Sequence, residues 1–257
     1  MKKNGFTLVE LIIYMAVGLV IMAAIYAAVN MAQRSSASTG RKVLTTQDAR
    51  MVLDFMAMDI RNVSYNREKI ANIWLGADAT GKPIGALGVV APLGGLRGIQ
   101  FANANTILVQ MDLDQNGVIA NRPDEIIRYS YDGVDTITRS SNWGPNQAIL
   151  GRDATGSAFG TLVVNGQAAA LGLPACPVAN PNCYNLFQYF NSQGNELTPA
   201  QLLTIAGIQS IRRIRITIVA QTEGGPTNVD PLTGRPRIMT HSTDVLVKNH
   251  PLGYLEQ

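Results

Sequence analysis

The hydrophobic period of the chain changes along its length, and each change predicts a different element. From Leu11 to Val29 there are nineteen residues without a charged side chain, which as a helix is long enough to cross a bilayer. Good helix formers continue through Ala27, Ala28, Met31 and Ala32, and the polar run Gln33 to Ser38 with Gly40 is expected to loosen or kink the helix. From Arg41 to Asn62 the pattern becomes amphipathic. Leu44, Val52, Phe55, Met56, Ile60 and Val63 are assigned to one stripe, while Arg41, Gln47, Arg50, Asp54 and Arg61 lie elsewhere.

Beyond the helix the period shortens to two. Thr106–Met111, Glu125–Tyr131 and Thr136–Arg139 read as strands, the last two joined by a turn at Asp132-Gly133. Ile208–Ala220 reads as a long strand and Thr243–Asn249 as a final one, with a short helix opened by Thr198-Pro199. The stretch 76–98 holds seven glycines and two prolines and reads as loop with one short strand at 87–90. Residues 140–199 are rich in Gly, Asn, Ser and Pro but contain Trp143, Phe159, Phe187, Tyr189 and Phe190, so an ordered excursion with short elements is expected. Residues 226–236 read as a turn-rich loop. The fold class predicted is α+β: a long N-terminal helix whose second half lies against an antiparallel sheet.

The apolar run has a distinctive start. Lys2 and Lys3 precede Asn4-Gly5, then come Phe6-Thr7-Leu8-Val9-Glu10-Leu11. Glu10 is the one carboxylate or cation between Lys3 and Arg34, and an unpartnered carboxylate in lipid costs about 2.5–3.5 kcal/mol even on lenient insertion scales. A secretory signal peptide would need a small-residue cleavage site, which neither Ile25-Tyr26-Ala27 nor Tyr26-Ala27-Ala28 supplies well. An ordinary membrane anchor fits the length and leaves Glu10 without a reason.

Lys-Lys-Asn-Gly followed by Phe-Thr-Leu-Val-Glu-Leu resembles the class III leader of type IV prepilins and type II secretion pseudopilins. The resemblance implies cleavage by a prepilin peptidase after Gly5, N-methylation of the new terminus Phe6, and a role for Glu10 as partner of the α-amino group of a neighbouring subunit during assembly. It further implies a leader at 1–5, a helix at 6–62 with 6–29 as membrane span and filament core, and a β-rich periplasmic head at 63–257. Asp48–Arg61, ending in Asp-Ile-Arg, is similar to the post-membrane helix of PilW-type minor pilins, as is the terminal strand ending in Lys248-Asn249; the helix is more loosely similar to that of J-type minor pseudopilins. Implied partners are the peptidase, other major and minor pilins and the inner membrane, with incorporation into an extracellular filament. The expected function is a minor pilin that primes type IV pilus assembly at the tip. Alternatives are a minor pseudopilin of type II secretion and a membrane-anchored periplasmic binding protein or enzyme.

Charge adds little. The net charge is +3, but loss of Lys2 and Lys3 takes Lys+Arg from 21 to 19 against 18 acids, leaving about +1 and no electrostatic case for nucleic acid. The cluster Arg212, Arg213 and Arg215 reads as the solvated face of a strand. Arg34, Arg41 and Lys42 follow the span on its far side, so orientation rests on the leader resemblance. No nucleophile motif, P-loop or dinucleotide fingerprint is present, and nothing in the sequence suggests an enzyme.

Two chemistries remain. Cys176 and Cys183 are expected to close a small disulfide loop in an oxidising compartment, the alternative being two free thiols. Asp112-Leu113-Asp114-Gln115-Asn116-Gly117-Val118-Ile119 has the first half of a calcium loop: side-chain oxygens at positions one, three and five, glycine at six, and the Val118 carbonyl at seven. The twelfth position, where a bidentate Glu belongs, is Pro123; Asp124 and Glu125 come one and two residues late. The segment is therefore either a looser calcium site or a polar hairpin turn in which Asn116-Gly117 takes the required backbone angles.

Overall fold

The computed structural model describes residues 7–67, 73–74, 96–119, 122–153, 155–157, 161–178, 180–222 and 237–250. The expected strand at 87–90 and the loop core at 226–236 lie outside the described residues. The chain divides into two compact units, residues 1–44 and 45–257.

The first unit is helical. Helix α1 runs Leu8–Arg61, and its part in this unit is long and apolar enough to cross a membrane, with Leu8, Leu11, Ile12, Ile13, Val17, Leu19, Val20, Ile21 and Ile25 all exposed. Helical structure is unbroken through Ser35 to Gly40, where loosening was expected. The hydroxyl of Thr39 there donates to the Ser35 carbonyl at 3.0 Å, which satisfies it along the helix without diverting the backbone.

In the second unit α1 acquires a buried stripe: Thr45, Ala49, Val52, Leu53, Met56 and Ile60, continued by Val63 just past its end. At about 100° per residue these positions fall on one side of the helix. Phe55 and Leu44 turn about 100° and 120° away from Met56. They are accordingly 38% and 60% exposed, contrary to their assignment to the stripe, and Ala49 and Leu53 take their place.

Two antiparallel sheets share this core. The first has five strands in chain order: β1 Ile99–Ala102, β2 Thr106–Gln110, β3 Ile126–Tyr131, β4 Ile137–Ser141 and β5 Gln147–Leu150. In the second, β6 Thr161–Val163 and β7 Phe187–Phe190 pair with opposite ends of β8 Arg213–Thr222, and β9 Ile238–Leu246 pairs along the other edge of β8. Period-two alternation puts Ile107, Val109, Ile127 and Tyr129 of the first sheet, and Ile214, Ile216 and Ile218 of the second, into one cluster with Met56 and Ile60. Hydrogen bonds pin the helix to both sheets: Thr45 Oγ1 to Thr222 Oγ1 at 3.2 Å, Thr161 Oγ1 to Asp48 Oδ2 at 2.8 Å, and Tyr129 Oη to Asp59 Oδ2. The α+β class is as the sequence predicts.

The predicted helix at 198 is α2 Pro199–Leu202, with Thr198 and Gln201 capping each other reciprocally. Its neighbour α3, Ile205–Gln209, takes the first residues assigned to the long strand, so β8 starts only at Arg213. Thr204 accepts from Gly207 N at 3.0 Å and caps α3, which explains why a run of alternating side chains opens as helix. The last strand starts five residues before its expected Thr243, at Ile238. The excursion 140–199 supplies β5, β6 and β7. Within it Cys176 and Cys183 are joined by a disulfide across a separation of 7 residues.

Candidate functional site

At the N-terminus Gly5 and Phe6 lie outside the described residues. Glu10 lies in the first turn of α1. Its carboxylate accepts from the backbone N–H and the hydroxyl of Thr7, both at 3.4 Å, while Thr7 Oγ1 accepts from the Glu10 N–H at 3.3 Å. Thr7-Leu8-Val9-Glu10 is thus a capping box, a Thr-x-x-Glu signal that the sequence contains and that the strand-and-helix reading did not use. Two N–H groups that a helix start leaves unbonded are satisfied, and a carboxylate is placed at the positive end of the helix dipole.

The second candidate is the loop between β2 and β3. Carboxylate oxygens of Asp112, Asp114 and Glu125 lie within 4.8 Å of one another. Asp112 and Glu125 are fully buried because each flanks a strand of the first sheet. The backbone there is fastened at both ends: Met111 N donates to the Glu125 carbonyl at 2.9 Å and Asp112 N to the Tyr65 carbonyl at 2.8 Å. Within the loop Asp112 Oδ2 accepts from Gly117 N at 3.0 Å, Asp114 Oδ1 from Asn116 N at 3.3 Å, and Asn116 Oδ1 from Val118 N at 2.8 Å. Gly117 has φ of 76°, the left-handed geometry for which glycine is suited.

Of the two late acids, the structure brings only Glu125 to the cluster. Asp124 Oδ1 accepts from Arg139 Nη2 at 2.7 Å and Ser141 Oγ at 3.2 Å, and so is turned toward β4, away from the role it was assigned. Arg122 reaches the cluster instead, its Nε 3.1 Å from Asp114 Oδ2. Sequence reasoning passed over Arg122 because spacing rules for a metal loop consider only donors.

Arg139 also joins a buried node under the first sheet. Its Nε lies 3.2 Å from Asp59 Oδ2, the same atom that accepts from Tyr129. Burial raises the Asp59 carboxyl above its ordinary value against the opposing pull of Tyr129 and Arg139. Burial, reinforced by Asp59, also raises the Tyr129 phenol, which remains a proton donor. The node fastens the helix to the sheet. In the second sheet Arg213 and Arg215 converge on Asp244 at 3.3 and 2.9 Å and lie over the Phe190 ring, as befits a solvated strand face.

A concavity of about 430 Å³ is lined by Asn103, Asn105, Asn185, Gln188, Tyr189 and Glu196, among others. Its titratable groups are engaged: Tyr189 Oη donates to the Asn103 carbonyl at 3.0 Å, and Glu196 Oε1 accepts from Asn182 Nδ2 at 2.9 Å.

Residues 1–26 match the family model of the prokaryotic N-terminal methylation motif. No curated protein and no solved structure matches the chain. The matched segment covers the basic leader, the Gly5-Phe6 junction and the first turns of α1, including the Thr7–Glu10 box. That motif heads a long apolar helix, an antiparallel β-sheet domain follows in the chain, and the two together support a type IV pilin-like prepilin.

Proposed function

We propose that the protein is a minor pilin, a structural subunit that joins other pilins near the tip of a type IV pilus and primes its assembly. The observation that carries this reading is the placement of Glu10: the one carboxylate of an otherwise charge-free apolar run, in the first turn of a helix, inside a matched methylation motif. A prepilin peptidase removes residues 1–5 and methylates Phe6. Before assembly the capping box and the helix dipole offset part of the cost of holding Glu10 in an apolar medium. On assembly the carboxylate exchanges its Thr7 contacts for the charged amine of a neighbour's Phe6, a stronger charge-assisted bond in low dielectric. The amphipathic half of the helix then carries the head on the filament. The similarity of Asp48–Arg61 to PilW-type helices supports the minor-pilin assignment over a type II secretion pseudopilin.

The test is complementation of a deletion strain. Gly5→Ala should leave an unprocessed, slower-migrating precursor, and Glu10→Ala should be processed and membrane-bound yet reduce surface piliation at least about tenfold if the ion pair stabilises assembly by more than about 1.4 kcal/mol. Wild-type piliation and motility in the deletion strain, together with a secretion defect, would place the protein in the secretion machinery instead.

A further inference from the structure

We infer that the β2–β3 loop is a calcium site, with Asp112, Asp114 and Glu125 as its carboxylate ligands. Like charges this close, two of them on buried residues, repel strongly unless a cation sits among them. Arg122, 67% exposed, holds Asp114 from the solvent side, its Nε 3.1 Å from Asp114 Oδ2.

The decisive atom is Oδ1 of Asp112. Asp112 is 0% exposed, and its Oδ1 has no hydrogen-bond partner, while Oδ2 is used by Gly117 N. A buried carboxylate oxygen left without a donor is expensive, and a metal ion in the adjoining cluster removes that expense.

The donor set identifies the ion. All the ligand atoms are oxygens, which selects a hard cation over zinc or copper. A spread of up to 4.8 Å fits calcium, whose oxygens stand at about 2.3–2.6 Å and hence up to about 5 Å apart across the ion. Magnesium, at about 2.0–2.1 Å, demands a tighter octahedron. The loop hydrogen bonds already in place mean that little ordering remains when the ion enters. Glu125, two residues beyond the usual twelfth position, arrives because the start of β3 brings it alongside Asp112, whose neighbour Met111 is bonded to it through the backbone. Calcium entry loosens Arg122 from Asp114. Because Asp112 N–H holds the Tyr65 carbonyl, the ion also stiffens the junction between the end of α1 and the first sheet.

The experiment uses the full-length chain in detergent, stripped with chelator, titrated with calcium chloride by calorimetry and melted with and without the ion. Expected are saturable one-site heat with a Kd at or below about 1 mM and a higher melting temperature in calcium than in equal magnesium. Glu125→Gln and Asp114→Asn should each weaken binding about tenfold or more, since affinity follows ligand charge. Asp124→Asn, outside the cluster, should leave calcium binding unchanged. Arg122→Gln keeps every carboxylate and should tighten calcium several-fold, which tests the site even if a ligand variant fails to fold. Absence of heat and of a melting shift at about 10 mM calcium, well above the weakest affinities typical of such loops, would overturn the inference. So would an equal response to magnesium, or equal calcium binding in wild type, Arg122→Gln and the ligand variants.

Discussion

His250 shows how much a single residue near the end of the described chain contributes. Its ring is fully buried, with Nε2 2.9 Å from the Ile208 carbonyl and Nδ1 3.0 Å from Ser64 Oγ. The carbonyl can only accept, so Nε2 carries the proton and Nδ1 accepts from the serine hydroxyl. Ser64 in turn sits against Gly98, where a Cβ would fall 1.7 Å from Ser64 Oγ, so the node admits no side chain at that position. Burial pushes the His250 pKa down to about 4. A folded pKa below the unfolded value of about 6.5 means that the unfolded chain binds the extra proton first, so stability is fully present above about pH 6.5 and is lost as pH falls toward 4. The loss amounts to about 3 kcal/mol at most. Denaturant melts of wild type and His250→Gln across this window should show the wild type losing more stability on acidification, and parallel pH profiles would exclude the role. None of this was legible beforehand, since a lone histidine offers no pattern until the fold supplies Ser64 and Ile208.

At the scale of the element, α1 serves two environments with one continuous helix. From Leu11 to Val29 it carries no charged side chain and its second half has a stripe, and that switch was legible because each pattern holds over many residues. The stripe's membership was less legible. Leu44 and Phe55 were assigned by hydrophobicity, whereas the buried set is fixed by angle and admits Ala49 and Thr45. Met56→Ala should cost about 2–5 kcal/mol, because the side chain is fully buried in the shared cluster. Phe55→Ala should cost much less, because the ring is partly exposed and covered on one side by Arg139, 5.1 Å from its centroid. Chemical denaturation of the two variants gives this ranking directly, and equal losses would mean that the stripe is misplaced. The short strands β5, β6 and β7 escaped sequence reading because three- and four-residue strands carry too few alternations to show a period, and their pairing with β4 and β8 is a tertiary property. The calcium half-motif was visible, but the choice of Glu125 over Asp124 depended on Arg139, which bonds Asp124 from 15 residues away along the chain.

For the whole molecule, the proposed function makes one N-terminal segment responsible for membrane storage, processing and filament joining, and leaves recognition of neighbours to the head. Everything in that scheme depends on where the mature chain begins. Mass spectrometry of the N-terminal peptide, from protein isolated from sheared pili and from membranes, measures this most directly. Expected is a chain beginning at Phe6 with one methyl group on its α-nitrogen and Glu10 unmodified. A chain retaining Lys2 and Lys3, or one cut after the apolar run near Ala28, would contradict it.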